Sequence, residues 1–424
     1  MDKNNITFLC KVVDNYGDIG FVYRLARSIS RKNPQAKIRL IVSNLESFSK
    51  MAEGIDKNAP VQNFYFFDEL NSREIQWTVF DWNADEECRK EFSLNPPEVL
   101  LECFQCGRPE WLEEILFDKK NTHFTQIVNV EYLTPDDWAE EFHLLQGGTR
   151  SPYIKKMNFV PGFTSKTGGL LFDEVFLKCV EDRKFAQDKL QSVLDEQSLK
   201  SFKEENSFNL TFFSYPREYG PVIAALKKYE KILLEKNPSS YISVFLANGL
   251  SQEGFLEECR KQNVDFKIYK LPYLKQKEWD ALLTLVDFNF VRGEDSFVRA
   301  ALCGIPFFWH AYVQDEEFQL VKVDAFVNKM KPFFSEELFN LIKKFFLMYN
   351  RNFNLPLGQE AEQVFQNYQG NGENIFVKDG GELLFELLLN YKQLKESFKS
   401  FSDSLISNGD LAEKLLAYIN SISL

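Results

Sequence analysis

Apolar positions along this chain switch between two periods. Residues 6–13 (ITFLCKVV) form a β-rich run, 14–20 (DNYGDIG) break it, and 21–32 then set Val22, Leu25, Ala26 and Ile29 on one helical face. Residues 37–44 predict a second strand, and 97–104 (PEVLLECF), opening at the Pro96-Pro97 pair, a buried one. A helix-like stretch at 111–120 precedes another strand at 123–133. This alternation predicts a mainly parallel sheet with helices on both faces. The glycines at 147–148 and the segment 161–172 (PGFTSKTGGLLF) mark the exit from a first domain. Residues 173–206 are charged and lack Gly and Pro, which reads as one or two exposed bridging helices. The alternation then restarts: strands at 208–215, 241–248, 264–274, 288–293 and 305–312, with helices at 222–237, 255–262 and 279–286 between them. Helices dominate from there to 410–421. The pattern is α/β twice over, in two units of similar size, whose ligands are expected on loops beyond the carboxyl ends of the strands.

Composition narrows the function classes. The net charge of −12 repels phosphate backbones, so neither nucleic acid nor an anionic membrane is an expected partner. The longest apolar runs fall far short of a bilayer span, and the start of the chain lacks the pattern of a signal peptide. Seven cysteines, sparse and odd in number, fit a reducing, cytoplasmic setting. The 42 Phe residues lower the meaning of any single aromatic cluster, and core packing is the default reading for each.

Three segments could carry chemistry. In 14–20, Gly17 and Gly20 would let the backbone approach a ligand, while Asp14 and Asp18 place carboxylates at a helix entrance. A plain helix cap by Asp18 explains the same residues. In 291–304 (VRGEDSFVRAALCG), Asp295 or Ser296 can cap a helix that ends at Gly304. Gly293 would open space for a diphosphate beside Arg292 and the Ser296 hydroxyl, and Glu294 is left with no capping duty. The third candidate is the pair of strand ends FFSYP (212–216) and LPYLKQ (271–276), where Tyr215 and Tyr273 could stack on a base and Gln276 could read its edge. The C-F-Q-C at 103–106 has no second pair and reads as buried thiols. The three histidines lack metal-ligand spacing, His310 being open to either a structural or a site role. There is no D-x-D carboxylate pair for a divalent metal, so no metal site is expected and helix N-termini are left to hold a diphosphate.

DNYGDIGFVYRLAR at the front, LPYLKQ in the second half, and FVRGEDSFVRA with GIPFFWHAYVQ after it resemble, in that order, the bacterial protein-arginine rhamnosyltransferases of elongation factor P, the EarP family. The resemblance implies a GT-B-like α/β fold with two Rossmann-like domains facing each other across a cleft. Residues 1–180 would be the N-terminal, acceptor-side domain and 181–206 a linker or bridging helix. Residues 207–402 would be the donor-nucleotide domain, and 403–424 a C-terminal helix able to pack back on the first. It further implies a cytoplasmic enzyme without cofactor or metal. The enzyme would move rhamnose from dTDP-β-L-rhamnose to one arginine of elongation factor P with inversion, activating that factor to relieve stalling at polyproline. Asp18 matches the family's proposed base, Asp14 its neighbour and Glu294 a catalytic glutamate. Asn15, Tyr16, Gly17, Phe213, Tyr215, Tyr273, Gln276, Arg292, Gly293, Asp295 and Ser296 fall on donor-binding positions, Gln276 as the amide that reads thymine. FSYP departs from the usual residues there, and Tyr273 stands where Phe is common. Two rivals remain: a GT-B enzyme with another acceptor, and a nucleotide-sugar-binding module without catalysis.

Overall fold

A computed structural model describes residues 4–13, 16–368 and 374–422. The chain divides into two compact units, Met1–Asp173 with Asn408–Leu424, and Glu174–Ser407.

Unit 1 is built on eight strands: β1 (Asn5–Cys10), β2 (Lys37–Val42), β3 (Val61–Asp68), β4 (Arg73–Asp81), β5 (Val99–Cys103), β6 (Thr125–Val130), β7 (Gln146–Gly147) and β8 (Ile154–Phe159). Their order is β3-β4-β2-β1-β5-β6-β8-β7, parallel throughout except for β3 and β7. Phe8 of β1 is in register with Leu40 on one side and Leu101 on the other, so the central strands are apolar on both faces. β3, β4 and β8 escape the sequence pattern for physical reasons. β3 is an edge strand with only Phe64 and Asp68 buried, and Lys155-Lys156 interrupt the apolar run of β8.

Unit 2 carries β9 (Ser207–Phe212), β10 (Tyr241–Leu246), β11 (Lys267–Lys270), β12 (Phe288–Arg292) and β13 (Phe307–His310) in the all-parallel order β11-β10-β9-β12-β13. In both units the order reverses beside the first strand, between β1 and β5 and between β9 and β12. Loops leaving those strand ends diverge and open the crevice in which such sheets bind ligands. β9 ends at Phe212, earlier than its apolar run suggests, which leaves Phe213, Ser214 and Tyr215 on the loop.

The stretch 173–206 is not an exposed spacer. Its helices Glu174–Glu181, Arg183–Leu190 and Glu196–Ser201 belong to unit 2, where Cys179, Ala186 and Leu190 pack with Phe245, Leu282 and Leu285. Their charges lie on the outer faces of amphipathic helices.

The last helix, Leu411–Ser421, joins the core of unit 1 through Leu411, Leu415 and Ile419. Asp410 fixes its entry. Its carboxylate caps the helix at the Glu413 N–H, accepts the Phe172 N–H at 2.9 Å, and lies 3.6 Å from Lys32 Nζ. Burial, only partly offset by these partners, pushes its pKa up to about 6. A carboxyl raised on folding favours the native state most below its unfolded value, and this contribution is lost as pH climbs towards 6. The stability difference between wild type and Asp410→Asn should therefore change by about 2–3 kcal/mol between about pH 4 and pH 6.5, wild type losing ground as pH rises. Thermal unfolding across that range checks it; a pH-independent difference would mean that Asp410 ionises normally.

Candidate functional site

The two reversal points hold most of the residues singled out by sequence. In unit 1, β1 leads through residues 11–16 into the helix Gly17–Lys32. Asp14 and Asn15 lie outside the described residues. Tyr16 is the exposed N-cap without a side-chain cap, and Gly17 and Gly20 are helical residues rather than turn residues. Asp18 sits in the first turn and is not the cap. It is 2% exposed, and its carboxylate accepts the Val13 N–H at 2.8 Å and the Tyr132 hydroxyl at 3.2 Å. A carboxylate buried at a helix N-terminus benefits from the positive end of the dipole as well as from such donors.

Tyr132, on the loop after β6, was not marked by any sequence signal. Its ring stacks on Phe104 at 4.3 Å, and Phe104 in turn packs on Phe21 at 5.1 Å. Phe104 and Gln105, just beyond β5, both adopt left-handed backbone, with φ of 62° and 50°. Two consecutive non-glycine residues in that region cost of order 1–3 kcal/mol each, and such strain concentrates at functional sites. Here it turns the Phe104 ring beneath Tyr132. The C-F-Q-C thiols are ordinary by comparison. Burial raises Cys103 well above the usual thiol range and Cys106 to about 11.

In unit 2, β12 ends at Arg292 and the chain turns at once into the helix Glu294–Cys303. The sequence offers Asp295 or Ser296 as its cap, but Gly293 takes that place with φ 71°, a conformation that favours glycine. Glu294 and Asp295 fall in the first helical turn. The Ser296 hydroxyl instead accepts the Trp279 indole N–H at 3.0 Å, and Trp279 meets Phe213 edge-to-face at 5.3 Å. The Arg292 guanidinium lies 4.5 Å from the Phe213 ring and 4.6 Å from that of Tyr215, so these aromatics hold a cation at the end of β12. Tyr273 is 61% exposed beyond β11, and Gln276 opens the helix Gln276–Leu285.

Beneath this surface His310 is a structural hub. Its Nδ1 accepts the Tyr215 N–H at 3.3 Å and lies 2.7 Å from Ser214 Oγ, which also reaches the Tyr349 hydroxyl at 2.9 Å. A backbone N–H can only donate, so Nδ1 carries no proton and the ring is the Nε2–H tautomer. Burial, with Arg217 and Arg292 nearby, pushes the imidazole well below its ordinary pKa. Arg217 stacks over Tyr349 at 4.1 Å and Phe376 at 4.0 Å, and burial lowers it to about 10. Among the described residues, no group of three or more His, Cys, Asp or Glu could hold a metal ion. None of the helices described is long and apolar enough to cross a membrane.

Comparison with known proteins decides the family. The model of the family described as Elongation-Factor P (EF-P) rhamnosyltransferase EarP matches residues 6–420. The chain belongs to the EarP family. The protein-arginine rhamnosyltransferase of Shewanella oneidensis is 32% identical over 338 residues, covering 75% of this chain and 79% of that protein. Its counterpart in Pseudomonas putida is 31% identical over 322 residues, with the same two coverages. A solved structure concerned with EarP-mediated arginine glycosylation of translation elongation factor EF-P aligns over 99% of this chain and 100% of that one, with TM-score 0.55 and 18% identity. The fold is thus that of GT-B glycosyltransferases, with two Rossmann-like units.

In this EarP-family chain the His310 geometry has a direct readout. Nitrogen NMR shifts of His310 should stay those of a neutral Nε2–H ring from about pH 8 down to about pH 5.5. A titration midpoint near 6.5 would show that the imidazole is neither buried nor held by Tyr215 and Ser214.

Proposed function

We propose that this chain is an inverting glycosyltransferase that moves rhamnose from dTDP-β-L-rhamnose to an arginine of elongation factor P, without a metal. Family membership supports the reaction class, and the observation that carries the acceptor chemistry is Asp18. A buried carboxylate, fixed by a backbone N–H and a tyrosine hydroxyl, stands at the reversal point of unit 1. Arginine has a pKa of about 12.5–13.8, so making free guanidine at pH 7 costs about 8 kcal/mol. Prior deprotonation by a carboxylate is therefore not the mechanism. Asp18 orients the guanidinium, draws its charge away from the attacking nitrogen, and takes the proton as the bond to the anomeric carbon forms. Glu294 is the second carboxylate of this scheme. The C–O bond to thymidine diphosphate breaks on the opposite face of the sugar. The charge of that leaving group is met by Arg292, the Ser296 hydroxyl and the dipole of the helix Glu294–Cys303. Tyr273 and Gln276 serve the base.

Asp18→Asn keeps the size but removes the proton acceptor, and turnover should fall at least ~10²-fold. Tyr132→Phe removes one of the donors that hold the Asp18 carboxylate in place, and turnover should fall in the same sense but by less than in Asp18→Asn. The mass gain of elongation factor P with time reads both variants; near-wild-type rates for Asp18→Asn at saturating acceptor would leave Asp18 a structural residue.

The donor side has a separate test. In excess EDTA, dTDP should still bind, while Tyr273→Ala and Ser296→Ala weaken it, the lost base stack by ~1–3 kcal/mol on the analogy of nucleic-acid stacking. Calorimetry that found binding only with added magnesium would overturn the metal-free scheme. Unchanged affinity in both variants would place the nucleotide elsewhere.

A further inference from the structure

Unit 1 contains a cavity of about 630 Å³ that neither Asp18 nor the donor residues line. Its walls come from the ends of β5, β6 and β8 and from the helix Trp138–Phe142. It adjoins the acceptor carboxylate along the chain. Glu131 in its wall precedes Tyr132, the residue that donates to Asp18, and Gln105 in its wall follows Phe104, on which Tyr132 stacks. The strained backbone at Phe104 and Gln105 therefore shapes both places at once.

The charges in this cavity are unevenly satisfied. At the back, Glu102 is 2% exposed and binds two cations. Arg108 Nη1 donates at 2.6 Å, and Lys156 Nζ lies 3.2 Å from the other oxygen. Arg108 is itself shared with Glu113. Glu131 differs. Its Oε1 accepts from the neutral amides of Gln105 at 2.7 Å and Asn129 at 2.5 Å, and among the described residues it faces no cation. Asn129 is 4% exposed, and its Oδ1 has no hydrogen-bond partner. The wall thus presents unused acceptors and one uncompensated negative charge. Trp138 and Phe142, 44% and 46% exposed and edge-to-face at 5.5 Å, add aromatic faces of the kind that attract cations. An anionic ligand would meet Glu131 while Arg108 and Lys156 are already engaged by Glu102 and Glu113, and an apolar one would strand buried polar groups.

We infer that this cavity is an acceptor subsite for a second basic side chain of the acceptor protein, a lysine or arginine near the one that is glycosylated, with Glu131 as its counter-ion. The inference rests on the proposed reaction on a protein arginine. The subsite makes specificity a matter of two cations at a fixed spacing, so an isolated arginine would fill only one place.

Elongation factor P is titrated into wild type, Glu131→Gln and Trp138→Ala in the presence of dTDP, and transfer is followed by mass. Glu131→Gln should weaken association about tenfold and flatten its salt dependence, raise KM for elongation factor P, and leave kcat and dTDP affinity near wild type. Trp138→Ala should weaken association in the same sense. Unchanged association in both variants, or a fall in kcat at unchanged KM, overturns the subsite even if wild type transfers rhamnose normally. Wild type that associates in a Glu131-dependent way but transfers nothing would sink the proposed reaction and keep the basic-side-chain site. Wild type that neither associates nor transfers defeats both.

Discussion

A carboxylate taken out of water must be given donors, and the way Asp18 is supplied orders much of unit 1. Val13 reaches it from the segment that follows β1, which ends at Cys10. Tyr132 reaches it from the far end of β6, two strands away in the sheet, because β6 lies beside β5, and β5 beside β1. The tyrosine ring is then kept in place by Phe104, whose left-handed backbone is strained unless that stacking compensates it. One buried charge therefore ties together three strand ends and accounts for the costly backbone beside it.

Unit 2 solves a related problem with a neutral group. The loops after β9 and β13 meet over His310, whose unprotonated Nδ1 receives the Tyr215 N–H. A protonated ring could not accept that bond, and two guanidiniums nearby help to keep it neutral. The aromatic shelf on which Arg292 lies is therefore anchored from below by an uncharged imidazole, and the cation at the end of β12 keeps its charge for whatever lies above.

How much of this was legible in the sequence depends on the type of signal. Buried parallel strands such as ITFLC in β1 and VLLEC in β5 show as apolar runs broken by a single polar residue, and the helix Glu294–Cys303 is bracketed by Gly293 and Gly304. The edge strand β3 and the lysine-interrupted β8 do not show, because half-exposed strands carry polar residues that dilute the pattern. Asp18 was visible as a polar residue beside Gly17, and Ser296 as one within the polar run that follows Gly293. Their partners Tyr132 and Trp279 were not, since they arrive from distant segments and belong to residue types common in any core. The capping assignments at Asp18, Asp295 and Ser296 failed for one reason: each helix starts a residue or more earlier than its apolar face, at Gly17 and at Glu294.

The start of the helix Glu294–Cys303 carries a tension that bears on the proposed chemistry. The positive end of a helix dipole stabilises an anion, and Glu294 and Asp295 already place two carboxylates in that first turn. A diphosphate brought to the same end would be repelled by them unless a cation intervened. Arg292 is the nearest guanidinium in sequence, and it is held against Phe213 and Tyr215 rather than spent on an internal carboxylate at that shelf. On this view the two acidic residues are not there for the leaving group. A carboxylate in the first turn of a helix is a good electrostatic partner for a cation, and the acceptor in the proposed reaction is a guanidinium that stays protonated until the bond to sugar is forming. The acidic turn thus suits the acceptor's charge, and the arginine beside it suits the donor's.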